Sequence, residues 1–220
     1  MKILVIAPHA DDEIIGAGGT ISKHVKKNDD VYVCVVTKGA SPIFSKEFVD
    51  KIRKETLQSH QKIGVKKTFF LEFPSVILEK EDSYIINKKI DEVIQHVKPD
   101  EVFIPHIGDM HKDHRIVAEA AMVCLRPKYE HVIKRIYAYE TLSETGWNIP
   151  NVINEFIPNY YVDISDYLDK KLEAMKCYES QLGSFPDARS LETIEVLAKY
   201  RGSTMNLKAA EAFMLIRGID

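Results

Sequence analysis

Two short clusters of histidine and carboxylate side chains are the residues of this chain whose types and spacing can do chemistry. Residues 9–13 read His-Ala-Asp-Asp-Glu, and residues 111–114 read His-Lys-Asp-His. Imidazole nitrogen and carboxylate oxygen are both zinc ligands, and a catalytic zinc site takes three protein ligands while leaving a position for water. The two clusters together therefore predict a catalytic metal site.

The elements around the clusters indicate how the two can meet. Residues 3–6 form a continuous apolar run, typical of a strand buried on both faces, and residues 101–105 form a second, mostly apolar run. Each cluster follows its run. Strands that lie parallel in one sheet end at the same edge, where α/β proteins place their active sites. His9, Asp12 and His114 can then converge on one ion.

The other polar residues of the clusters have natural roles in hydrolysis. His111 and His114 lie three residues apart, and a site with three protein ligands needs one of them. His111 can face the substrate and, when protonated, stabilise an oxyanion or protonate a leaving group. Asp113 can accept a hydrogen bond from His111 and keep it cationic. Asp11 can take a proton from metal-activated water.

Strand-like and helix-like patterns alternate along most of the chain. Apolar runs at residues 31–36 and 68–73 are separated by helical periodicity, and residues 86–97 carry the clearest helical stripe. This order predicts an α/β fold, a Rossmann-like three-layer sandwich with a mostly parallel sheet and helices on both faces. We expect residues 1–220 to form a single domain.

The C-terminal third is less regular. Residues 132–140 and 156–164 are predicted strands, and Ser165 is the predicted N-cap of a following helix. Residues 191–197 indicate a further helix, whereas residues 212–216 fit either a strand or a helix.

Three glycines follow the first cluster. Gly16, Gly18 and Gly19 resemble a phosphate-binding loop, but their order is not G-x-G-x-x-G and no Lys-Ser/Thr pair follows. We interpret them as small residues that let the first helix pack close to the sheet and leave room beside the metal.

Composition excludes several classes of protein. The net charge of −3 is spread over mixed signs, so no basic stripe indicates binding to nucleic acid. The first apolar run ends at Pro8, too early for a signal peptide, and no later run is long enough for membrane insertion. The three cysteines are odd in number and far apart. We therefore expect a reduced, cytoplasmic protein.

The two clusters carry a family resemblance. Residues 7–13, Ala-Pro-His-Ala-Asp-Asp-Glu, together with residues 111–114 resemble the PIG-L/LmbE-like family of zinc-dependent de-N-acetylases. That family includes enzymes acting on N-acetylglucosaminyl-phosphatidylinositol and enzymes of bacillithiol and mycothiol synthesis. Weaker similarities at residues 37–39, 53–55 and 178–181 extend the resemblance over nearly the whole chain.

The resemblance implies a metal-binding role for three residues and a catalytic one for a fourth. His9, Asp12 and His114 become the ligands of one zinc ion per chain, with Fe(II) or another divalent transition metal as an alternative. Asp11 becomes the general base. The family usually has proline after the first histidine, where this chain has Ala10. That departure removes no chemical group.

The resemblance also implies roles around the ion. His111 becomes the acid or electrostatic partner, oriented by Asp113. Arg53 becomes a substrate-contacting residue, a role that spacing alone does not indicate.

Specificity is expected to depend on residues 139–158 and on the loops after the second and third strands, which can surround the metal without binding it. Trp147 is among the aromatic residues suited to stacking on a sugar.

The expected activity is therefore metal-dependent removal of acetyl from an N-acetylated amino sugar or sugar conjugate, releasing acetate. The expected partner is a small N-acetyl sugar, sugar nucleotide or glycoside, and the oligomeric state is left open, with a homo-oligomer allowed. Two alternatives stay open: hydrolysis of another amide or a phosphoester, and a non-catalytic Rossmann-like nucleotide-binding module. The identity of the sugar, the native metal and the residue that protonates the leaving amine, Asp11 or His111, are also open.

Overall fold

The structure is a computed structural model that describes residues 1–128, 130–152 and 154–220. Within these ranges, seven β-strands form one sheet and six α-helices pack on it. In chain order the elements are β1 (Lys2–Ala7), α1 (Asp12–Lys26), β2 (Asp30–Lys38), α2 (Lys46–Ile63), β3 (Lys67–Pro74), a 3-10 turn (Leu78–Lys80), α3 (Ser83–Val97), β4 (Glu101–Pro105), α4 (Lys112–Cys124), β5 (Arg135–Tyr139), β6 (Tyr160–Asp163), α5 (Leu168–Met175), α6 (Leu191–Ser203) and β7 (Ala210–Gly218).

The sheet has the strand order β3-β2-β1-β4-β5-β7-β6. Neighbouring strands from β3 to β5 are parallel, while β7 runs antiparallel to both β5 and β6. The predicted mostly parallel α/β sheet is therefore confirmed. No helix within the described ranges combines the length and apolarity needed to cross a bilayer.

The central strand β1 shows why both faces of the sheet are covered. Leu4 and Ile6 point to one face, where they join a core cluster with α3 and α4. Ile3 and Val5 point to the other face, where their cluster includes side chains of α1, α2, α5 and α6. All four are at most 1% exposed, because successive side chains of a strand alternate between faces and both are packed.

The order of the strands reverses on either side of β1. The chain moves from β1 through β2 to β3, and then crosses back through α3 to place β4 on the opposite side of β1. The crevice at the carboxyl ends of such a strand pair is the usual ligand site of open α/β sheets. Both sequence clusters lie at this crevice, as predicted.

Gly16 shows that the small residues of α1 do bring this helix close to the sheet. A Cβ atom added at Gly16 would lie 2.3 Å from the ring of Tyr139 on β5, a distance that real Cβ atoms do not adopt. The hydroxyl of Tyr139 donates to the carbonyl of Ile6 at 2.9 Å, which ties β5 to the end of β1. Gly19 makes a similar approach to Ile164.

The C-terminal third differs in detail from the predictions. The two predicted strands are present but shorter, at Arg135–Tyr139 and Tyr160–Asp163, and residues 212–216 belong to a strand. Ser165 is not a helix N-cap. Its hydroxyl donates to Asp163 at 2.6 Å, and α5 begins only at Leu168.

Candidate metal centre and its cavity

Three predicted ligands meet where β1 and β4 end. His9 lies in the turn after β1, Asp12 is the first residue of α1 and His114 lies in the first turn of α4. Asp12 Oδ2 is 3.3 Å from His9 Nδ1 and 3.2 Å from His114 Nε2, and the two imidazole nitrogens are 3.3 Å apart. The three atoms therefore form a nearly equilateral triangle.

Each histidine is oriented by a carboxylate on its far side. The Nδ1 atom of His114 bonds the carboxylate of Asp109 at 2.8 Å, and the Nε2 atom of His9 bonds the carboxylate of Asp113 at 3.0 Å. When those nitrogens carry the protons, each ring turns an unprotonated lone pair toward Asp12. A carboxylate that holds the outer ring nitrogen in this way is a common feature of histidine metal ligands.

This arrangement fits a cation. Two lone pairs and a carboxylate facing one another repel unless a positive charge lies between them. Asp12 Oδ1 is also buried without a hydrogen-bond partner among the described residues. Donor atoms around a tetrahedral zinc are roughly 3.3 Å apart, given bonds of about 2.0 Å, which matches the observed triangle. These three residues can therefore hold a divalent metal ion.

The three side chains of the triangle shift one another's pKa values. Burial disfavours the charged form of His114, but the charges of Asp12 and Asp109 outweigh burial and raise the pKa of His114 to about 10. Burial likewise opposes ionisation of Asp12, yet His114 and His9 hold the pKa of Asp12 well below its usual range. His9 also has a raised pKa, since hydrogen bonds to Asp113 and Asp12 overcome its burial.

Asp11 occupies a strained position beside the ligands. Its backbone φ is 110°, a region that non-glycine residues rarely adopt, and the residue is 1% exposed. Burial raises the pKa of Asp11, Arg189 at 3.8 Å opposes that rise, and the carboxylates of Asp12 and Glu13 add to it. A bound cation favours the ionised form.

His111 and Asp113 are arranged differently from the prediction. The carboxylate of Asp113 is bonded to His9 and to the Val76 backbone N–H, and it lies 4.0 Å from His111 Nδ1. His111 Nδ1 instead accepts the backbone N–H of Asp113, which leaves Nε2 as the protonated nitrogen. Burial and the neighbouring His9 lower the pKa of His111 to about 4. His111 is therefore a neutral N–H donor at neutral pH and not the cation expected from the sequence.

The candidate metal centre opens into a cavity of about 190 Å³. His9, Asp11 and His111 form one side. Phe44 and Phe48, whose rings stack with centroids 5.6 Å apart, form part of another side. Further lining residues are Ala10, Thr37, Lys38, Gly39, Ile52, Ser75, Val76, Gln181 and Arg189. The cavity has the polar reactive side and apolar walls that small-molecule sites share.

Arg53 does not line this cavity. Its guanidinium stacks over Phe70 at 3.8 Å and pairs with Glu72, which also accepts from Lys38 at 2.8 Å. The side chain borders a smaller adjoining hollow that shares Thr37 and Gly39 with the main cavity. Arg53 therefore lies next to the predicted substrate site, with its charge already paired.

Known proteins resemble this chain in sequence and in fold. The family model described as "PIG-L: GlcNAc-PI de-N-acetylase" matches residues 4–125, which hold His9, Asp12 and His114. A probable N-acetyl-alpha-D-glucosaminyl L-malate deacetylase 2 of Bacillus cereus is 31% identical over 81% of the chain and 83% of its own length. The chain belongs to the PIG-L family.

Other PIG-L relatives cover the chain more completely. The diacetylchitobiose deacetylase of Thermococcus kodakarensis is 29% identical, over 99% of this chain and 84% of its own. The solved structure of N,N'-diacetylchitobiose deacetylase from Pyrococcus horikoshii has a TM-score of 0.77 and 25% identity, covering 98% of this chain and 83% of that one. The PIG-L fold therefore extends beyond the segment that the family model matches.

Two residues of this PIG-L site were missed in the sequence. Asp109 is fully buried between His114 and the hydroxyl of Thr145, at 2.8 and 2.6 Å. Arg189 lines the cavity and lies 4.0 Å from Glu144. Asp109 stands five residues before His114, a spacing that offers a weak signal for an orienting carboxylate. The sequence around Arg189 offers none.

The loop expected to set specificity lies beside the candidate metal centre, but none of its described residues lines the cavity. Within residues 139–152 and 154–158, Trp147 is 77% exposed and is absent from the cavity lining, while Glu140 is paired with Arg201 at 2.6 Å. The predicted loop also includes Ile153, which lies outside the described residues.

Proposed function

We propose that this chain is a zinc-dependent N-deacetylase that removes the acetyl group from an N-acetylated amino sugar or sugar conjugate. The observation that carries the proposal is the triangle of His9, Asp12 and His114, with an unpartnered buried carboxylate oxygen, opening into a cavity beside Asp11. Membership of the PIG-L family supports the substrate class, and so do the relatives, which are named as a diacetylchitobiose deacetylase and a probable N-acetyl-alpha-D-glucosaminyl L-malate deacetylase.

The reaction adds water to the amide and gives acetate and a free amine. When bound, zinc would activate the water molecule and polarise the acetyl carbonyl. Asp11 accepts the proton of the attacking water. His111 Nε2–H donates a hydrogen bond to the acetyl oxygen as negative charge develops there, which a neutral imidazole can do as well as a cation. Asp11 then delivers the proton that it took from water to the departing amine nitrogen, because the neutral imidazole of His111 is too weak an acid to give up its Nε2 proton.

The walls of the cavity suit a sugar. Phe44, Phe48 and Ile52 supply an apolar surface, and pyranose rings carry C–H faces that pack on aromatic rings. Gln181 and Arg189 supply polar groups on the cavity wall for hydroxyl and carbonyl oxygens. Because Asp11 and Glu144 both lie near Arg189, its charge is largely balanced.

Several further properties belong to the same proposal. We propose that residues 1–220 act as one domain, that the substrate is a small molecule and that the protein is cytoplasmic, which the three free thiols support. Arg53 as a substrate contact also stays a prediction. If a bound substrate draws its guanidinium away from Glu72, Arg53→Gln raises KM and leaves kcat nearly unchanged.

The test combines metal content with acetate release. Elemental analysis of the protein should find near one zinc or similar ion per chain, lost in His114→Ala. The loaded protein should release acetate from an N-acetylglucosamine conjugate, and Asp11→Asn should keep the metal while losing roughly 10²- to 10⁴-fold in kcat. Absence of metal from protein offered zinc and iron, or full turnover in Asp11→Asn, would overturn the proposal.

A further inference from the structure

The carboxylate of Glu13 is fully buried and holds an unusual set of donors. One oxygen accepts from the Tyr178 hydroxyl at 2.5 Å and lies 2.9 Å from His60 Nε2. The other oxygen accepts the backbone N–H of Asp11 at 3.2 Å. Glu13 is neither in the ligand triangle nor among the residues that line the cavity. The reaction proposed above therefore gives this buried carboxylate no role.

The bond to Asp11 is the informative one. Asp11 adopts a φ of 110°, which a non-glycine residue keeps only when its surroundings hold it there. Two side chains close this turn: Asp12 accepts the His9 N–H at 2.9 Å, and Glu13 accepts the Asp11 N–H. Glu13 therefore accepts a hydrogen bond from the backbone N–H of the strained residue itself, Asp11.

Glu13 is itself anchored to distant parts of the fold. His60 lies on α2, and its other ring nitrogen is 2.7 Å from the hydroxyl of Thr68 on β3. Tyr178 follows α5 and is fully buried. Glu13 therefore joins the start of α1 to α2 and to the segment after α5, and through His60 to β3, so its carboxylate has little freedom to move away from Asp11.

We propose that Glu13 is a positioning residue that holds the strained turn at Asp11 and so aims the Asp11 carboxylate into the cavity. This inference rests on the proposed function, in which Asp11 is the general base. Displacement of a reacting group by about 1 Å can lower a rate by roughly 100-fold. Loss of the Glu13 bond is therefore expected to lower kcat on that scale, while the metal ligands and KM change little.

The primary variant is Glu13→Met, which preserves the length of the side chain and removes its oxygens. Its direct readout needs no turnover: the Asp11 amide, followed by NMR in the zinc-loaded protein, should exchange its hydrogen roughly tenfold faster or more than in the wild type. Metal content should stay near one ion per chain, and kcat should fall. Unchanged exchange at Asp11 would overturn the inference.

Glu13→Gln is the conservative variant. Its amide oxygen can still accept the Asp11 N–H while its NH₂ group faces the Tyr178 oxygen and an unprotonated His60 nitrogen. We expect it to recover most of the kcat and the slow Asp11 exchange that Glu13→Met loses. Equal loss in both variants would mean that the carboxylate matters for a reason other than its bond to Asp11.

A double-mutant cycle separates positioning from general damage. In the Asp11→Asn background, Glu13→Met should cost much less in kcat than it does in the wild type, because it acts through a base that is already gone. Additive losses would contradict the inference. Glu55→Met is the matched control, since Glu55 is a 5% exposed carboxylate that accepts from Ser180 and makes no bond to the site.

Glu13→Met also leaves buried donors without acceptors, so its folding is checked by thermal unfolding. If the variant is unstable, Glu13→Met with Tyr178→Phe removes one of those donors and should regain part of the stability without regaining kcat. If the wild type releases no acetate from any N-acetyl sugar, the proposed function is wrong. The exchange rate of the Asp11 amide hydrogen tests the role of Glu13 independently of that result.

Discussion

His114 Nδ1 and the carboxylate of Asp109 lie 2.8 Å apart, and both side chains are completely buried. This contact orients the ring so that His114 Nε2 faces His9 and Asp12. We expect Asp109→Asn to weaken zinc affinity by roughly 10- to 100-fold, the usual cost of removing a carboxylate behind a ligating histidine. Competition with a chromophoric chelator measures the change. Asp29→Asn, which breaks the His24–Asp29 pair elsewhere in the fold, should leave the affinity unchanged.

Metal binding should release protons. The pKa of His114 is raised to about 10, so at neutral pH this side chain holds a proton that must leave before Nε2 can bind a metal, and the raised pKa of His9 acts in the same direction. We expect zinc affinity to fall by about tenfold for each unit that pH drops between 8 and 6, because His114 alone must release one proton for each ion bound. Calorimetry in buffers of different ionisation enthalpy counts the protons. Affinity independent of pH would contradict this expectation.

The aromatic wall should affect binding more than chemistry. Phe48→Ala removes one of the two stacked rings from the cavity wall. We expect KM for an N-acetyl sugar to rise several-fold while kcat stays within about twofold, because a contact made equally in the ground state and the transition state affects only KM. Steady-state acetate release gives both constants. Phe69→Ala is the control, because Phe69 packs against Tyr32 and His96 away from the cavity. A fall in kcat alone would place Phe48 in the chemical step.

Gly16 should not tolerate a side chain. Alanine favours a helix over glycine by about 1 kcal/mol, but at this position the new Cβ would meet the ring of Tyr139, which is buried and tied to Ile6. We expect Gly16→Ala to lower the free energy of unfolding by about 1–3 kcal/mol, as for overpacking. Chemical denaturation measures it. Gly218→Ala, whose Cβ would lie 3.5 Å from its nearest neighbour, should be close to neutral.

Local patterns predicted the parts of the site that are local in sequence. The apolar runs of β1 and β4 and the two clusters behind them are each a few residues long, and the rule that parallel strands end at one edge brings them together. The antiparallel insertion of β7 between β5 and β6 follows no such rule. It depends on contacts between residues far apart in the chain, such as Tyr160 with Phe213.

The partner of Asp113 was predicted wrongly for the same reason, because its actual partner is distant in sequence. Sequence places Asp113 beside His111, and a hydrogen bond between these neighbours was the natural hypothesis. The fold brings His9, 104 residues away, within 3.0 Å of that carboxylate. Arg189 could not be predicted either, because it lies far along the chain from both clusters and meets Asp11 only through the packing of the C-terminal segment.

The division of labour within the cavity has an evolutionary consequence. The ligand triangle comes from the ends of β1 and β4, whereas Phe44, Phe48, Gln181 and Arg189 come from segments that contribute no ligand. Mutations in those segments can remodel the pocket while the ligand triangle and its carboxylate partners stay in place. Such a scaffold allows new substrates to be accommodated by sequence change around the pocket, without passing through an ancestor that has lost its ligand triangle.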